Sequence, residues 1–280
     1  MQLRLPVAPD VRARLERLEL PFSRTGVDPF GVSRAHLGSL FTALRALYKS
    51  YFTVKAFGTE NIPARGRAML VGNHSGGVAI DAAMVLASMF FELDPPRLAH
   101  GMAEKFIAKI PFAGEWAARC GQFTGLPQHA TRLLEAERLL MVFPEGARGT
   151  AKLYPERNSL VGFGTGFMRL ALETRTPIIP FAFLGGGEAI LTILNAYRLG
   201  KLLGVPYIPV TPYLLAIPLP VSLEVYYGAP RFFEGTGRED DAVIAGYVDE
   251  VKREIAAMID GGQRRRDGSG PRSLTAGSAR

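Results

Sequence analysis

The sequence predicts an α/β fold, in which a single domain is built on a mixed, mostly parallel β-sheet flanked by helices. Two observations support this prediction. Short apolar runs alternate along the chain with longer helical segments, and this alternation is typical of a sheet covered by helices on its faces. The chain has 280 residues, of which 48% are hydrophobic, so it is long enough to bury a sizeable core.

The short apolar runs are the predicted strands. The clearest is LLMVFPEG, at Leu139–Gly146, which has the composition of a buried strand followed by a turn. The predicted strands are Ala68–Gly72, Arg97–Gly101, Gln122–Thr124, Leu139–Gly146, Pro177–Leu184 and Ser222–Gly228.

Helices are predicted between these strands. Asp81–Leu93 has the length and composition of a buried helix. Pro127 suits the first turn of the helix predicted to begin there, because the first turn of a helix needs no backbone N–H at that position. The predicted helices are Asp81–Leu93, Glu104–Arg119 with a break near Pro111, Pro127–Arg138, Phe167–Arg175 and Asp240–Ile259.

Charge and composition divide the chain into three segments. We expect an N-terminal extension over residues 1–34, a folded domain over 35–260 and a disordered basic tail over 261–280. The tail from Gln263 onward carries five arginines and one aspartate, which is more than half of the net charge of +7. Charge is therefore weak support for nucleic-acid binding, and we expect no nucleic-acid partner. Cys120 is the only cysteine, which excludes an internal disulfide and suits a reducing compartment.

The first chemical motif is NHSGGVAID, which follows the strand Ala68–Gly72. His74 precedes two glycines that allow a sharp turn, and Asp81 follows seven positions later, near the start of a helix. If the loop folds back, the carboxylate can orient the imidazole as a general base. The alternative is that Asp81 caps its helix and His74 is an ordinary polar loop residue.

The second motif is VFPEGARGT, at the end of the strand LLMV. Glu145 and Arg148 would lie at the carboxyl edge of the sheet, where α/β folds bind ligands. Arg148 offers a planar set of donors suited to phosphate or carboxylate. The alternative is a surface turn with a salt bridge.

Together the two motifs resemble those of the glycerolipid acyltransferase superfamily, whose first and third blocks are NHxxxxD and FPEGTRS. The matching residues are Asn73, His74 and Asp81 in the first block, and Phe143, Pro144, Glu145, Gly146 and Arg148 in the third. Glu104–Gly121 and Thr176–Gly185 resemble the second and fourth blocks. The resemblance covers roughly residues 40–227 and implies a glycerol-3-phosphate acyltransferase-like fold.

Two features of this sequence differ from the usual pattern of the superfamily. Six residues separate His74 from Asp81 instead of the family's usual four, a spacing that resembles a subgroup with diacylglycerol acyltransferase-like bacterial proteins. The stretch GQFTG, at Gly121–Gly125, lacks the arginine that members acting on glycerol phosphate tend to carry. Arg148 and Lys105 remain as cations for the acceptor or for the donor's phosphates.

The resemblance implies an O-acyltransferase that uses acyl-CoA or acyl-carrier protein as donor and needs no cofactor or metal. The implied acceptor is a lysophospholipid or a mono- or diacylglycerol. His74 and Asp81 would be catalytic, and Asn73, Lys105, Glu145, Gly146 and Arg148 would bind substrate. Two alternatives remain: a 1-acylglycerol-3-phosphate acyltransferase of phospholipid synthesis, and a non-catalytic peripheral lipid-binding protein.

A lipid acceptor implies a membrane surface as partner, and we expect a peripheral protein on the cytoplasmic face. The uncharged run Leu202–Leu223 contains five prolines, which argue against a spanning helix and favour an interfacial loop or hairpin. The residues expected to contact lipid are Tyr207, Ile208, Tyr213, Leu214 and Leu215. A predicted N-terminal amphipathic helix over residues 37–51 could contact lipid or pack on the core. The favoured candidate for membrane contact is Glu188–Gly204, with Arg198 and Lys201, together with the proline-rich run that follows it.

Overall fold

The computed structural model describes residues 6–75, 79–103, 112–124, 126–214 and 216–268. Its strands are β1 (Lys55–Phe57), β2 (Ala68–Gly72), β3 (Ala99–Ala103), β4 (Gln122–Thr124), β5 (Leu139–Val142), β6 (Ile178–Leu184), β7 (Leu194–Asn195), β8 (Pro209–Val210) and β9 (Glu224–Tyr227). Its helices are α1 (Pro9–Glu16), α2 (Arg34–Ala46), α3 (Ile80–Phe91), α4 (Ala113–Arg119), α5 (Pro127–Glu135), α6 (Ala147–Thr150), α7 (Gly166–Glu173), α8 (Gly186–Ala189), α9 (Tyr197–Leu203) and α10 (Asp241–Arg266).

The main sheet has seven strands in the order β1-β9-β6-β2-β5-β3-β4. Every neighbouring pair is parallel except β6 and β9. All residues of β2 and β6 are buried, as expected for central strands with helices on both faces. The predicted mixed, mostly parallel sheet in a single domain is confirmed. A separate two-stranded antiparallel sheet pairs β7 with β8.

Parallel pairing brings the two sequence motifs to one edge of the sheet. β2 pairs with β5, with Val71 opposite Val142, and it pairs with β6 on its other side, with Gly72 opposite Phe181. The residues that follow these three strands therefore meet at the same carboxyl edge. This edge is where the topology of an open α/β sheet places a ligand site.

The predicted strand Leu139–Gly146 ends earlier than expected. β5 stops at Val142, and the Gly146 N–H donates to the Phe143 carbonyl at 3.0 Å, which closes a turn. Gly146 has a φ of 56° and precedes α6, a conformation that glycine adopts more easily than other residues. In the predicted helix Glu104–Arg119, only Ala113–Arg119 is helical among the described residues, and 104–111 lies outside them.

The apolar stripe of the N-terminal helix packs on the core. Leu37, Phe41 and Leu44 of α2 are buried, and the Phe41 ring stacks on Phe90 with centroids 3.7 Å apart. The preceding α1 also contributes to the core through Val11. Of the two alternatives that the sequence left open for this stripe, the structure has core packing.

The C-terminal helix continues past the boundary expected for the basic tail. α10 extends to Arg266. The Arg265 guanidinium lies over the rings of Phe57 and Tyr226, at 4.7 and 5.5 Å from their centroids, and Arg266 donates to the Ser222 carbonyl at 3.0 Å. These arginines contact the sheet instead of extending into solvent, because aromatic faces and a free carbonyl offer them partners. Residues 269–280 lie outside the described part of the chain.

Candidate active site

His74 and Asp81 form a buried pair at the carboxyl edge of the sheet. His74 follows β2, Asp81 lies in the first turn of α3, and His74 Nδ1 is 3.0 Å from Asp81 Oδ2. The same carboxylate accepts the backbone N–H of Ser75 at 2.8 Å and that of Ala82 at 2.7 Å. The N-cap of α3 is Ala79, so Asp81 is not the cap of its helix.

The electrostatics of the pair determine which imidazole nitrogen is free. Burial alone would raise the pKa of Asp81, but the charge and hydrogen bond of His74 and the two backbone amides outweigh it, so the pKa lies below its ordinary value. An ionised carboxylate can only accept, so Nδ1 carries the proton that it shares with Asp81. The lone pair is then on Nε2, which is the arrangement required of a general base.

Close packing orients the His74 ring. The Phe143 ring lies parallel to the imidazole, with centroids 4.0 Å apart and an interplanar angle of 9°. Two glycines allow other segments to approach: a Cβ on Gly149 would lie 2.7 Å from the His74 Cβ, and one on Gly186 would lie 1.9 Å from the Ser75 Oγ. The FPEG turn and the segment after β6 therefore both pack against the loop that carries the imidazole.

Asn73 holds the end of β2 against β6. Its side-chain Nδ2 donates to the Phe183 carbonyl at 3.0 Å, and its Oδ1 accepts the Phe183 N–H at 2.8 Å. Asn73 is buried, and both of its polar atoms are engaged by backbone. The sequence placed Asn73 among the substrate-binding residues, whereas this geometry makes it a support for the neighbouring histidine.

Glu145 forms a buried ion pair that sequence reasoning missed. Its Oε2 is 2.5 Å from Lys152 Nζ, and the two side chains are 0% and 1% exposed. Lys152 also donates to the His74 carbonyl at 2.8 Å. Burial raises the pKa of Glu145 and lowers that of Lys152, while their attraction opposes both shifts. In the sequence, the only sign that Lys152 could be the partner of Glu145 is its position just after the FPEGARG motif.

Three further residues are predicted from the sequence to bind substrate: Arg148, Gly146 and Lys105. Arg148 is exposed beside the site, and its guanidinium donates to the Gly162 carbonyl at 3.0 Å. The Gly146 amide is already used inside its own turn, which leaves it no proton for an oxyanion in this conformation. Lys105 lies outside the described residues.

Three of the residues expected to contact lipid are partly buried in the structure. Tyr207, Ile208 and Tyr213 are only partly exposed, and Ile208 directly precedes β8, which pairs with β7. Burial raises the pKa of Tyr207 to about 12, and its hydrogen bond to Thr150 opposes that rise. Membrane contact by these three residues stays a prediction, for which their side chains are only partly available in this conformation. Leu214 is exposed, and Leu215 lies outside the described residues.

Gly149→Ala tests the close packing beside His74. We expect a loss of stability of about 1–3 kcal/mol and lower turnover, because the added methyl group would lie 2.5 Å from Glu145 Oε2 and 2.7 Å from the His74 Cβ. Gly166→Ala is the control, since a Cβ there meets no atom within 4 Å. Thermal unfolding and steady-state turnover measure both effects, and equal behaviour of the two variants would contradict the packing argument.

Comparisons with known proteins support the motif resemblance. A family model described as Acyltransferase matches residues 53–184. The uncharacterized protein Rv0502 of Mycobacterium tuberculosis is 33% identical over 245 residues, which are 83% of this chain and 68% of that protein. The human "DGAT1/2-independent enzyme synthesizing storage lipids" is 24% identical over 242 residues, which are 83% of this chain and 68% of that enzyme.

The fold is also found in a solved structure. The 1-acyl-sn-glycerophosphate (LPA) acyltransferase PlsC of Thermotoga maritima superposes with a TM-score of 0.52 and 20% identity, covering 79% of this chain and 81% of that one. At this identity the likeness shows the fold alone. The family model, the relatives and the fold together show that this chain belongs to the glycerolipid acyltransferase superfamily and is an acyltransferase of glycerolipid type.

Proposed function

We propose that this protein transfers a fatty acyl group from an acyl-CoA or acyl-carrier protein thioester to a hydroxyl of a lysophospholipid or of a mono- or diacylglycerol. The observation that carries the proposal is the 3.0 Å contact between His74 Nδ1 and Asp81 Oδ2, which leaves Nε2 as a base at the carboxyl edge of the sheet. The protein would act as a peripheral enzyme on the cytoplasmic face of a membrane.

The proposed reaction needs no acyl-enzyme. His74 Nε2 takes the proton of the acceptor hydroxyl, and the resulting alkoxide attacks the thioester carbonyl. Asp81 stabilises the imidazolium through Nδ1. When the tetrahedral intermediate collapses, the C–S bond breaks and the imidazolium proton passes to the leaving thiolate. Proton transfer of this kind contributes about 10²–10⁴-fold to the rate, and holding both substrates together contributes further.

A second acceptor class is supported by Arg148. Its exposed guanidinium lies beside the site, and a planar set of donors suits a phosphate. The fold is shared with an LPA acyltransferase, whereas more similar relatives are named as enzymes synthesizing storage lipids. The acceptor therefore stands between lysophosphatidate and a neutral or phosphate-diester glycerolipid.

Thiol release from palmitoyl-CoA tests the proposal and the acceptor together. The panel contains glycerol 3-phosphate, lysophosphatidate, other lysophospholipids, monoacylglycerol and diacylglycerol. We expect sustained release with a lysophospholipid or a neutral glyceride, while release only with lysophosphatidate would establish the second acceptor class. Cys120 is buried and its pKa is raised to about 12 by burial, so it should react little with the thiol reagent. Cys120→Ala is the blank for that background.

The same assay is repeated with palmitoyl carried on acyl-carrier protein as the donor. No turnover with either donor and any acceptor, by a protein that still binds vesicles, would overturn the enzyme and favour a non-catalytic lipid-binding protein.

A further inference from the structure

An exposed apolar surface surrounds helix α9. We call it the α9 platform and define it by the large apolar side chains of one segment that are exposed: Ile193, Leu194, Tyr197, Leu199, Leu202, Leu203, Leu214 and Ile217. Leu202 is 80% exposed and Leu214 is 81% exposed. So many exposed large apolar side chains in one segment of the chain are typical of an interaction site, because soluble proteins normally keep exposed apolar patches small.

Helix α9 exposes its apolar side chains, unlike an ordinary surface helix. Of its seven residues only Gly200 is buried. A Cβ at that position would lie 2.5 Å from the Tyr207 Cα, so the helix rests on the hairpin through its smallest residue. The leucines of α9 are thereby left exposed, whereas a helix folded only for water would turn them toward the core.

The charges of the segment complement an anionic surface. Arg198 and Lys201 are exposed on the same helix as the leucines. The sequence from Ala189 to Leu223 contains no aspartate or glutamate. Leucines and an aromatic ring with interspersed basic residues form the pattern of a segment that lies in the headgroup region of a bilayer with anionic lipids.

The platform is attached to the turn that supports His74. Asn195 of β7 donates to the Ala151 carbonyl at 2.6 Å, and Tyr154 N–H donates to the Thr192 carbonyl at 2.8 Å. Tyr207 is hydrogen-bonded to Thr150, the last residue of α6. Because α6 also contains Gly149, which packs against His74, the platform and the catalytic edge belong to one connected unit.

We propose that the α9 platform docks on a bilayer surface containing anionic phospholipid and holds the His74 edge next to the membrane. The inference rests on the proposed function for its purpose, since it would bring a lipid acceptor to the site without passage through water. Its occupant is the bilayer itself. The leucines enter the interface, and Arg198 and Lys201 contact the headgroups.

Vesicle flotation tests the docking directly. The wild-type protein is expected to float with phosphatidylcholine vesicles that contain phosphatidylglycerol, and less with phosphatidylcholine alone. The double variant Leu202→Asp/Leu203→Asp should reduce the bound fraction by about tenfold or more, because it places two carboxylates in an apolar, anionic interface. Arg198→Gln/Lys201→Gln should remove mainly the preference for phosphatidylglycerol.

Phe232→Asp is the matched control. Phe232 is 78% exposed and lies outside the platform, so its replacement should leave flotation unchanged. Circular dichroism would verify that every variant is folded. Equal binding by wild type and the double leucine variant, or equal loss in Phe232→Asp, would overturn the proposal. It would also be overturned if sedimentation showed that the platform is covered by a second copy and the wild-type protein did not float.

Turnover measurements distinguish a failure of the docking proposal from a failure of the proposed function. With a short-chain acyl-CoA and a monomeric, water-soluble acceptor, the double leucine variant should keep wild-type turnover, while its turnover on vesicle-borne acceptor should fall in parallel with binding. A wild-type protein that floats but never turns over refutes the proposed function alone. A protein that turns over on vesicles without dependence on the platform refutes the docking alone.

Discussion

Lys152→Met is expected to lower the free energy of unfolding by about 3–5 kcal/mol, because it leaves the Glu145 carboxyl buried without its partner. The His74 carbonyl would lose its ammonium donor as well. Urea unfolding followed by circular dichroism gives the difference. Part of the loss can be relieved if Glu145 takes up a proton, a change that its raised pKa already favours.

A double variant separates the cost of an unpaired buried charge from the other effects of losing Lys152. In Lys152→Met/Glu145→Leu no charge remains at the position, and replacing a buried ion pair by apolar groups of similar volume is often neutral. We therefore expect the double variant to recover most of the stability. We expect low turnover in both the single and the double variant, because each removes the ammonium that donates to the His74 carbonyl.

The surface pair Arg65–Glu19 is a matched control. Its charged atoms are also 2.5 Å apart, but its side chains are 77% and 46% exposed. Solvent screens such a pair, so Arg65→Met should leave the unfolding midpoint nearly unchanged. If Lys152→Met were as stable as Arg65→Met, the buried pair would have no role in holding this site.

His74→Ala is expected to lower kcat by about 10²–10⁴-fold while the fold stays intact, because it removes the proposed general base. Asp81→Asn should have a loss of similar order, since a neutral amide cannot stabilise the imidazolium. The KM for the acyl donor should change little in both variants. Thiol release under saturating donor measures kcat, and thermal unfolding verifies the fold.

His36→Ala is the control for the histidine substitution. His36 lies on α2, where its Nδ1 is hydrogen-bonded to Ser33, and this variant should turn over normally. Near-normal turnover by His74→Ala would exclude the base mechanism, even if the protein remained an acyltransferase by another route.

Sequence reasoning located the elements better than their ends. The strands β2 and β6 lie where the apolar runs predicted them, because a central strand with helices on both faces needs a nearly continuous apolar run. The edge strand β4 also lies at its predicted residues. The ends of β5 and α10 differed from the prediction. The end of β5 depends on local turn geometry, because the Gly146 N–H closes a turn on the Phe143 carbonyl three residues earlier. The end of α10 depends on partners far away in the chain, because Arg265 lies over aromatic rings of β1 and β9.

The residues that the sequence predicts to contact lipid show the same distinction. Composition indicated that the proline-rich region carries exposed apolar side chains, and Leu214 fits that expectation. Tyr207 and Ile208 are partly covered, while Tyr197 and Leu202 of α9 are the exposed ones. Which apolar side chain faces outward depends on how the hairpin packs against the domain, and no local pattern contains that information.

By itself the sequence determined the α/β class, the strands that form its centre and the two motifs of the candidate site, because hydrophobic periodicity and residue spacing are local properties. Only the tertiary structure decided that His74 and Asp81 meet across a seven-residue separation, that Lys152 is paired with Glu145, and that Asn73 holds β2 against β6. The parallel pairing of β2 with β6 brings Asn73 to its partner, whereas the other two contacts depend on how the segments after β2 and β5 fold back on themselves. A buried polar group must find a partner wherever the fold provides one.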